Sequence, residues 1–383
     1  MEHVYLDHNA TTPLDPRVGE AMADAMSQLH WNSSSVHYFG QKAREAVEGA
    51  RERVAALLGA APAEIVFTSS GTESNNAVIF SSARRAGFKG HLVVSSFEHP
   101  SVETAMCDLE MAGVEVTRVD PGASGVIDAD AMIAAIQPGT GLVCLMLANN
   151  EIGTIQPVGE VAIACRDLGV PILCDAVQAV GKIPVQVHAL SVDYLSLGAH
   201  KFYGPLGAAA LWIRQGQAFD SFLVGGSQER FRRAGTVNVP AVVGMGLAAE
   251  MAMQKIDERA AHLQALRDQF EAGLGSIPDV VIHGAGEERL PNTSNIAVLG
   301  VEGESLMIRL DLHGYAVSTG SACSSGKVEP SAALMAMGLP LSEALSSLRI
   351  SFGVSNSESQ VGGFLKSLAE DVVALRRVTP KKR

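Results

Sequence analysis

Between Gln41 and Ile213 the chain repeats one pattern, a helix-period segment followed by a short run that is apolar on both faces. The helical segments include QKAREAVEGARERVAALL, SNNAVIFSSARRA, PSVETAMCDLEMA and GEVAIACRDL; among the runs are EIVFT, HLVVSS, VEVTRV, GLVCLMLAN, PILCDAV, DYLSLG and AAALWI. A strand that is apolar on both faces must be covered on both, so the alternation predicts an α/β architecture, a mainly parallel sheet clad by helices. A helix-like stretch from Ala241 to Leu274, dense in Ala, Met, Glu and Gln, then connects this sheet to the rest of the chain. Beyond it strands and helices intermix, which predicts a small α+β domain. The expected division is a large domain over 16–255, with 1–15 and 256–383 forming the small one, because the first residues are too few to fold alone.

Composition narrows the partners. The 383 residues carry 29 Lys+Arg against 41 Asp+Glu, a net charge of −12. Nucleic acid is not expected, since a phosphate backbone is bound by a surplus of clustered cations. The basic tail from Arg376 to Arg383 reads as a solvated terminus. With 47% hydrophobic and 18% charged residues the chain can bury a large core. No apolar run reaches the roughly 18 residues of a membrane helix, and MEHVYLDHNATTP lacks the features of a signal peptide. Five cysteines with no CxxC pair argue against a disulfide framework or a zinc site and point to a reducing cytoplasm.

No GxGxxG after a strand, no GxxxxGK[ST] and no HExxH occurs, so dinucleotide, P-loop and zincin chemistry drop out. What remains is a set of polar clusters at the C-terminal ends of apolar runs, where open α/β sheets bind ligands. FTSSGTESNN places Ser70, Gly71 and Thr72 at a helix start, either as an anion-binding turn or as a simple N-cap. In PILCDAVQAVGK, Asp175 could hold a protonated ring nitrogen or merely cap a turn. In DYLSLGAHKFYGPLG, Lys201 stands either in a packed Gly-rich turn, where desolvation lowers an amine toward Schiff-base chemistry, or on the surface. Cys323 differs from the other cysteines: it lies in TGSACSSGK, a Gly/Ser loop with a cation at Lys327, a setting that favours exposure and a thiolate.

These residues resemble the NifS/IscS-type cysteine desulfurases, class V aminotransferases among the fold-type I pyridoxal 5'-phosphate (PLP) enzymes. The resemblance runs from Tyr5 to near Ser357 and is carried by NSSSVH, FTSSGTESNN, EHPSV, NNEIGTIQP, CDAVQAVGK, HKFYGPLG, RRAGTVN, VEGESL, STGSACSSGKVEPS and LRISFG in that order. It implies that Lys201 binds PLP covalently, that Asp175 pairs with the pyridine nitrogen and that His99 stacks on the ring. Gln178 and Asn150 would reach the phenolic oxygen or the substrate. Gly71, Thr72 and His200 would hold the phosphate, with Thr236 supplied by the second subunit of a homodimer. Asn32, Asn150 and Arg349 would bind substrate, Arg349 gripping its carboxylate, and Cys323 would be the nucleophile.

The expected reaction converts L-cysteine to L-alanine. The freed Lys201 amine removes the Cα proton, the Cys323 thiolate takes the sulfur as a persulfide, and His99 or Lys201 returns protons. A sulfur-acceptor protein, such as an iron–sulfur scaffold, would then receive the sulfur for clusters, thio-cofactors or tRNA. The alternatives are a PLP-dependent selenocysteine or C–S lyase without a persulfide, and a non-catalytic sulfur-transfer scaffold. The sequence departs from the family at Trp31 and Ser33, at His8, at Gly198 where Ser is common, and in stopping at Arg383, short of the C-terminal extension that docks the scaffold in IscS-like members. The Gly198 change is expected to weaken PLP binding, unless a water or backbone N–H fills the gap or the glycine adopts a positive φ.

Overall fold

The computed structural model describes residues 3–319 and 329–378. The chain begins with β1 (Val4–Tyr5), α1 (Pro16–Gln28) and α2 (Tyr38–Leu58) and then enters the alternating region. There β2 (Ile65–Thr68), α3 (Gly71–Arg85), β3 (His91–Ser95), α4 (Pro100–Met111), β4 (Glu115–Val119) and α5 (Ala129–Ala134) follow in turn. Next come β5 (Thr140–Cys144), α6 (Val158–Leu168), β6 (Ile172–Asp175), α7 (Val187–Leu190), β7 (Tyr194–Gly198) and β8 (Ala209–Ile213). These strands form one seven-stranded sheet in the order β2-β8-β7-β6-β5-β3-β4. Only β8 runs antiparallel to its neighbours; the other pairs are parallel.

Successive residues of one strand enter opposite cores, as a period of two requires. Ile65, Phe67, Val143, Ile172 and Cys174 pack on one face with α2 and α6. Val66, Leu142 and Leu173 pack on the other, against Val78 and Ile79 of α3 and Val102 and Met106 of α4. The expectation of a mainly parallel sheet covered on both sides is met.

The link between the two halves of the molecule is α8 (Val239–Gly273), 35 residues long, or roughly 50 Å at the helical rise. Its first half adds Val242, Met245 and Ala249 to the sheet core, and its second half adds Leu263, Leu266 and Phe270 to a separate core. Around that second core are β9 (Val280–His283), β10 (Thr293–Val298), α9 (Gly303–Leu312), β11 (Tyr315–Ala316), β12 (Ser347–Ser351) and α12 (Glu358–Val378), while α10 (Ala332–Ala336) and α11 (Leu341–Ala344) pack with Phe97 and Ile152 in a small cluster of their own. The strands pair as an antiparallel β12-β10-β9 sheet and a parallel β1-β11 ribbon.

The N-terminal segment belongs to both halves. Val4 and Leu6 are buried in the second core, while the Thr12 N–H and hydroxyl both donate to the His200 carbonyl just past β7. Among the described residues no helix is long and apolar enough to cross a membrane.

Gly246 of α8 packs tightly against Ala50 of α2. A Cβ on Gly246 would lie 2.6 Å from the Ala50 Cα, a backbone atom that cannot rotate away. Alanine would gain about 1 kcal/mol in helix propensity, but forcing the two helices apart costs roughly 1–3 kcal/mol. Gly246→Ala should therefore lower stability, seen as a reduced denaturant midpoint with an unchanged slope. An equal or higher midpoint would show that the helices separate at no cost.

Candidate active site

Five loops leave the C-terminal ends of β2, β3, β5, β6 and β7 and close around one cavity of about 280 Å³. It is lined by Gly71, Thr72, His99, Asn150, Asp175, Gln178, His200 and Lys201 from the expected set, and also by Ala10, Ser70, Asn75, Ser101, Met146 and Val177. The strand order turns here, since β3 has β4 on its outer side and β5 on its inner side. Such a reversal opens a crevice between the loops.

At one end of the cavity α3 begins. Ser70 is its N-cap, accepting from the Glu73 N–H at 3.0 Å, so the cap and the anion-binding turn are the same structure. Glycine at 71 is required by close approach, because a Cβ there would meet Val177 Cγ2 at 2.7 Å. The unpaired N–H groups of a 15-residue helix start suit an anion.

Asp175, at the end of β6, is 6% exposed. Its Oδ1 accepts from the Val177 N–H at 2.9 Å, which makes it a cap, while its Oδ2 accepts from Asn75 Nδ2 at 2.7 Å. Asn75 also donates to Ser101 Oγ at 3.0 Å, tying α3 to α4. His99 likewise has two roles. Its Nδ1 accepts from the Ser101 N–H at 3.1 Å as the N-cap of α4, with Pro100 at the first helical position. A nitrogen that accepts carries no proton, so the neutral ring bears its proton on Nε2. Burial holds His99 below its ordinary value, with Asp175 pulling the other way and the Lys201 charge reinforcing the fall.

Lys201 ends a single 3-10 turn after β7, Ala199–Lys201. The turn is pinned on both sides. A Cβ at Gly204 would strike Ala199, and Tyr203 adopts φ 70° while its N–H donates to Thr12 Oγ1 at 2.7 Å. The Lys201 amine donates to the carbonyls of Asn9 and Ala10. Its pKa is lowered to about 8, first by burial and then by the Arg349 charge, against the pull of Asp175 and Asp7. His200 falls to about 4, by burial and then by Lys201 and Lys182, and is neutral.

Three expected residues do not line the cavity. Arg349, on β12, is 6% exposed and ion-paired with Asp7 at 2.7 Å, its Nη1 reaching the Asn150 carbonyl at 3.2 Å. Its charge is felt by Lys201, but its fork is already occupied. Thr236 lines a separate cleft with Thr68, Ser69 and Arg233. Asn32 is exposed and caps the Ser34 N–H at 2.9 Å. Cys323 lies outside the described residues. Gly198 has φ −128° and ψ 126°, extended backbone open to any residue, so the positive-φ explanation for its glycine fails.

Residues missed from the sequence are Asn75, Ser101 and Met146, and Asn9 and Ala10 of the N-terminal segment. The first two carried a local signal, since Asn75 follows Gly71 by one helical turn and Ser101 follows His99 by two residues. Met146, just after β5, carried no polar signal, and Asn9 and Ala10 had none because their approach depends on where the N-terminal strand docks.

In the protein free of cofactor, the rate of Lys201 acylation should rise through about pH 8, measured by mass spectrometry of labelled peptides. Arg349→Gln should raise that midpoint, because it removes a lowering charge and leaves Asp7 unpaired; Asp175→Asn should lower it. A midpoint near an ordinary lysine's, about 10.4, would show that the amine is not desolvated.

The class-V aminotransferase family matches residues 4–364. A cysteine desulfurase of Trichormus azollae is 42% identical over 100% of this chain and 96% of its own length. The cysteine desulfurase IscS of Dictyoglomus turgidum is 43% identical over 99% of this chain and 97% of its own. Among solved structures, a NifS-like protein superposes with a TM-score of 0.92 at 36% identity, covering 97% of this chain and 100% of that one. SspA in complex with cysteine gives 0.81 at 33%, covering 91% and 98%.

Proposed function

The chain belongs to the cysteine desulfurases of the class-V aminotransferase family, a PLP-dependent family, and from that membership we propose that it carries PLP on Lys201 and delivers the sulfur of L-cysteine to Cys323. The observation that carries the residue assignments is the Lys201 amine, desolvated to a pKa of about 8, in one cavity with the Asp175 carboxylate, His99 and the start of α3. This donor set fits PLP: a helix N-terminus for the phosphate, a carboxylate for the ring nitrogen and an amine that is partly unprotonated near neutral pH. The Gly71–Val177 contact leaves backbone, with no Cβ, beside the anion end.

When bound, PLP supplies an electron sink for the charge left at the substrate Cα. Asp175, oriented by Asn75, would pair with the ring nitrogen and favour its protonated form. The free Lys201 amine, with a pKa close to neutrality, would be the base that takes the Cα proton and returns it. His99 keeps its Nε2 proton aimed away from its cap. Arg349 receives the substrate carboxylate by sharing or exchanging Asp7. The Cys323 thiolate would attack the substrate sulfur, so that an S–S bond forms as the C–S bond breaks; the C–S electron pair stays with the Cβ, which takes a proton from His99 or Lys201, and alanine is left. The persulfide sulfur then passes to an acceptor protein.

We further propose a homodimer. The loops around Ser33–Ser34 and Ser227–Arg230 line one cleft, and the same stretches carry Val36, Tyr38, Val224 and Phe231, each at least 65% exposed. Apolar side chains gathered in this way mark an interaction surface. A partner seated there would place its Thr236 at the phosphate site and exclude water from it.

Addition of L-cysteine to the purified protein should yield alanine and a protein-bound persulfide. Lys201→Ala should abolish turnover and prevent borohydride from fixing PLP to the chain. Cys323→Ser should still bind L-cysteine but form no persulfide; equal sulfide release by that variant would favour the simple lyase.

Gly198→Ser should tighten PLP. A Cβ there meets only the His200 ring at 3.4 Å and Val177 at 3.7 Å, ordinary contacts, and a hydroxyl bond to a charged group is worth roughly 1.5–3 kcal/mol, about 10- to 100-fold in the dissociation constant. An unchanged or weaker constant would show that a backbone N–H or water already fills the gap.

A further inference from the structure

We propose that Lys182, buried behind the cavity, is a positioning residue that sets which way the amides of Gln178 and Asn9 point, and thereby aims a Gln178 N–H at the phenolic oxygen of the cofactor. The proposal rests on the reading that PLP sits on Lys201.

Lys182 follows Gln178 by four residues and is 5% exposed. Its Nζ donates to Gln178 Oε1 at 2.8 Å and to Asn9 Oδ1 at 2.8 Å. Both amides present their oxygens to it: a flipped Gln178 would set Oε1 against the Asn9 carbonyl, and a flipped Asn9 would set Oδ1 against the Asn150 carbonyl and Nδ2 against Asn292 Nδ2. With Oε1 committed, Gln178 Nε2 faces the other way. There it gives one proton to the Asn9 carbonyl at 2.9 Å, and its second proton is left for the cavity that Gln178 lines.

Asn9 is set by the same amine. Its Oδ1 takes Lys182 and also Asn292 Nδ2 at 3.0 Å, and Nδ2 turns toward the Asn150 carbonyl at 3.1 Å and Thr293 Oγ1 at 2.9 Å. The Asn150 carbonyl also takes Arg349, and the Asn9 carbonyl takes Lys201. One buried amine therefore bridges the oxygens of two amides that touch the groups expected to hold cofactor and substrate.

Packing alone does not account for this lysine. No carboxylate among the described residues lies within ion-pair distance of it, and burial pushes its pKa well below the ordinary value, with the Lys201 and Arg349 charges adding to the fall. A neutral amine has two N–H groups, and two acceptors are present. Methionine of similar length would fill the same space without desolvating an amine. The other ionisable groups around this point are Lys201 and His200 after β7, Asp175 on β6, His99 before α4, Arg349 with its partner Asp7, and His8, whose pKa of about 4 is set by burial and then by Lys182.

The test compares the holoenzyme with Lys182→Met, Gln178→Met and the double variant, reading the visible absorption of bound cofactor against pH. A fixed donor on the phenolic oxygen weakens that oxygen's hold on the proton it shares with the Lys201 nitrogen; without the donor, the proton stays to higher pH. Lys182→Met should raise the midpoint by about one pH unit, the size of one such hydrogen bond. Gln178→Met should raise it as far, and the double variant no further, because Lys182 acts through Gln178. An unmoved midpoint in Lys182→Met, or additive shifts in the double variant, would overturn the proposal. If borohydride fixes no cofactor to Lys201 in the unaltered protein, the underlying reading fails instead. Should Lys182→Met not fold, a crystal structure of the unaltered holoenzyme decides. Gln178 Nε2 within hydrogen-bond distance of the phenolic oxygen, with Oε1 on Lys182, supports the inference; Nε2 directed elsewhere refutes it.

Discussion

The arrangement of the active site depends on one asparagine. Asn9 spends its N–H on Ser351 Oγ, its carbonyl on Gln178 and Lys201, its Oδ1 on Lys182 and Asn292, and its Nδ2 on Asn150 and Thr293. It is 1% exposed, so each of these groups would be costly to leave unmade. The partners come from the loops after β5, β6 and β7, from β10 and β12 of the small sheet, and from Asn292 just before β10. Through this residue the two cores share one set of buried polar contacts, at the point where the Lys201 amine must be held still.

Hydrogen bonds to carbonyls, rather than ion pairs, are what hold Lys201. A carbonyl fixes an ammonium without supplying a full opposing charge, so burial and Arg349 can still lower the pKa. The neighbouring carboxylates are engaged elsewhere. Asp7 is on Arg349 and Asp175 on Asn75 and the Val177 N–H, and Glu98, half-buried and accepting from Ser95 Oγ and the Met146 N–H, is pushed up to about 8, chiefly by desolvation. A site that must both give and take a proton near neutrality is favoured by this separation of charges.

Several side chains of the site also have ordinary structural duties. Asp175 and His99 cap turns and helices while pointing another atom into the cavity, and Ser70 caps α3 while exposing its N–H groups. Fixing one atom of a side chain by a local hydrogen bond orients the remaining one without further parts, which is why cap and ligand are not alternatives here.

The apolar alternation determined the α/β sheet, because a strand that is apolar on both faces has no other stable surroundings, and it placed the polar clusters at the strand ends. Local spacing also marked Gly71, Thr72, Asp175 and Lys201 as candidates at strand ends, with a cap or a surface position left open, and only the family resemblance gave them and Gln178 roles. The sequence was silent about Asn9, Ala10 and Lys182, since their roles follow from where the N-terminal strand docks some 190 residues away from Lys201. It also could not foresee that the Arg349 fork is already held by Asp7, across 342 residues. Pattern and period are properties of a few consecutive residues, whereas the pKa of a buried amine and the facing of an amide depend on atoms that only the folded chain brings together.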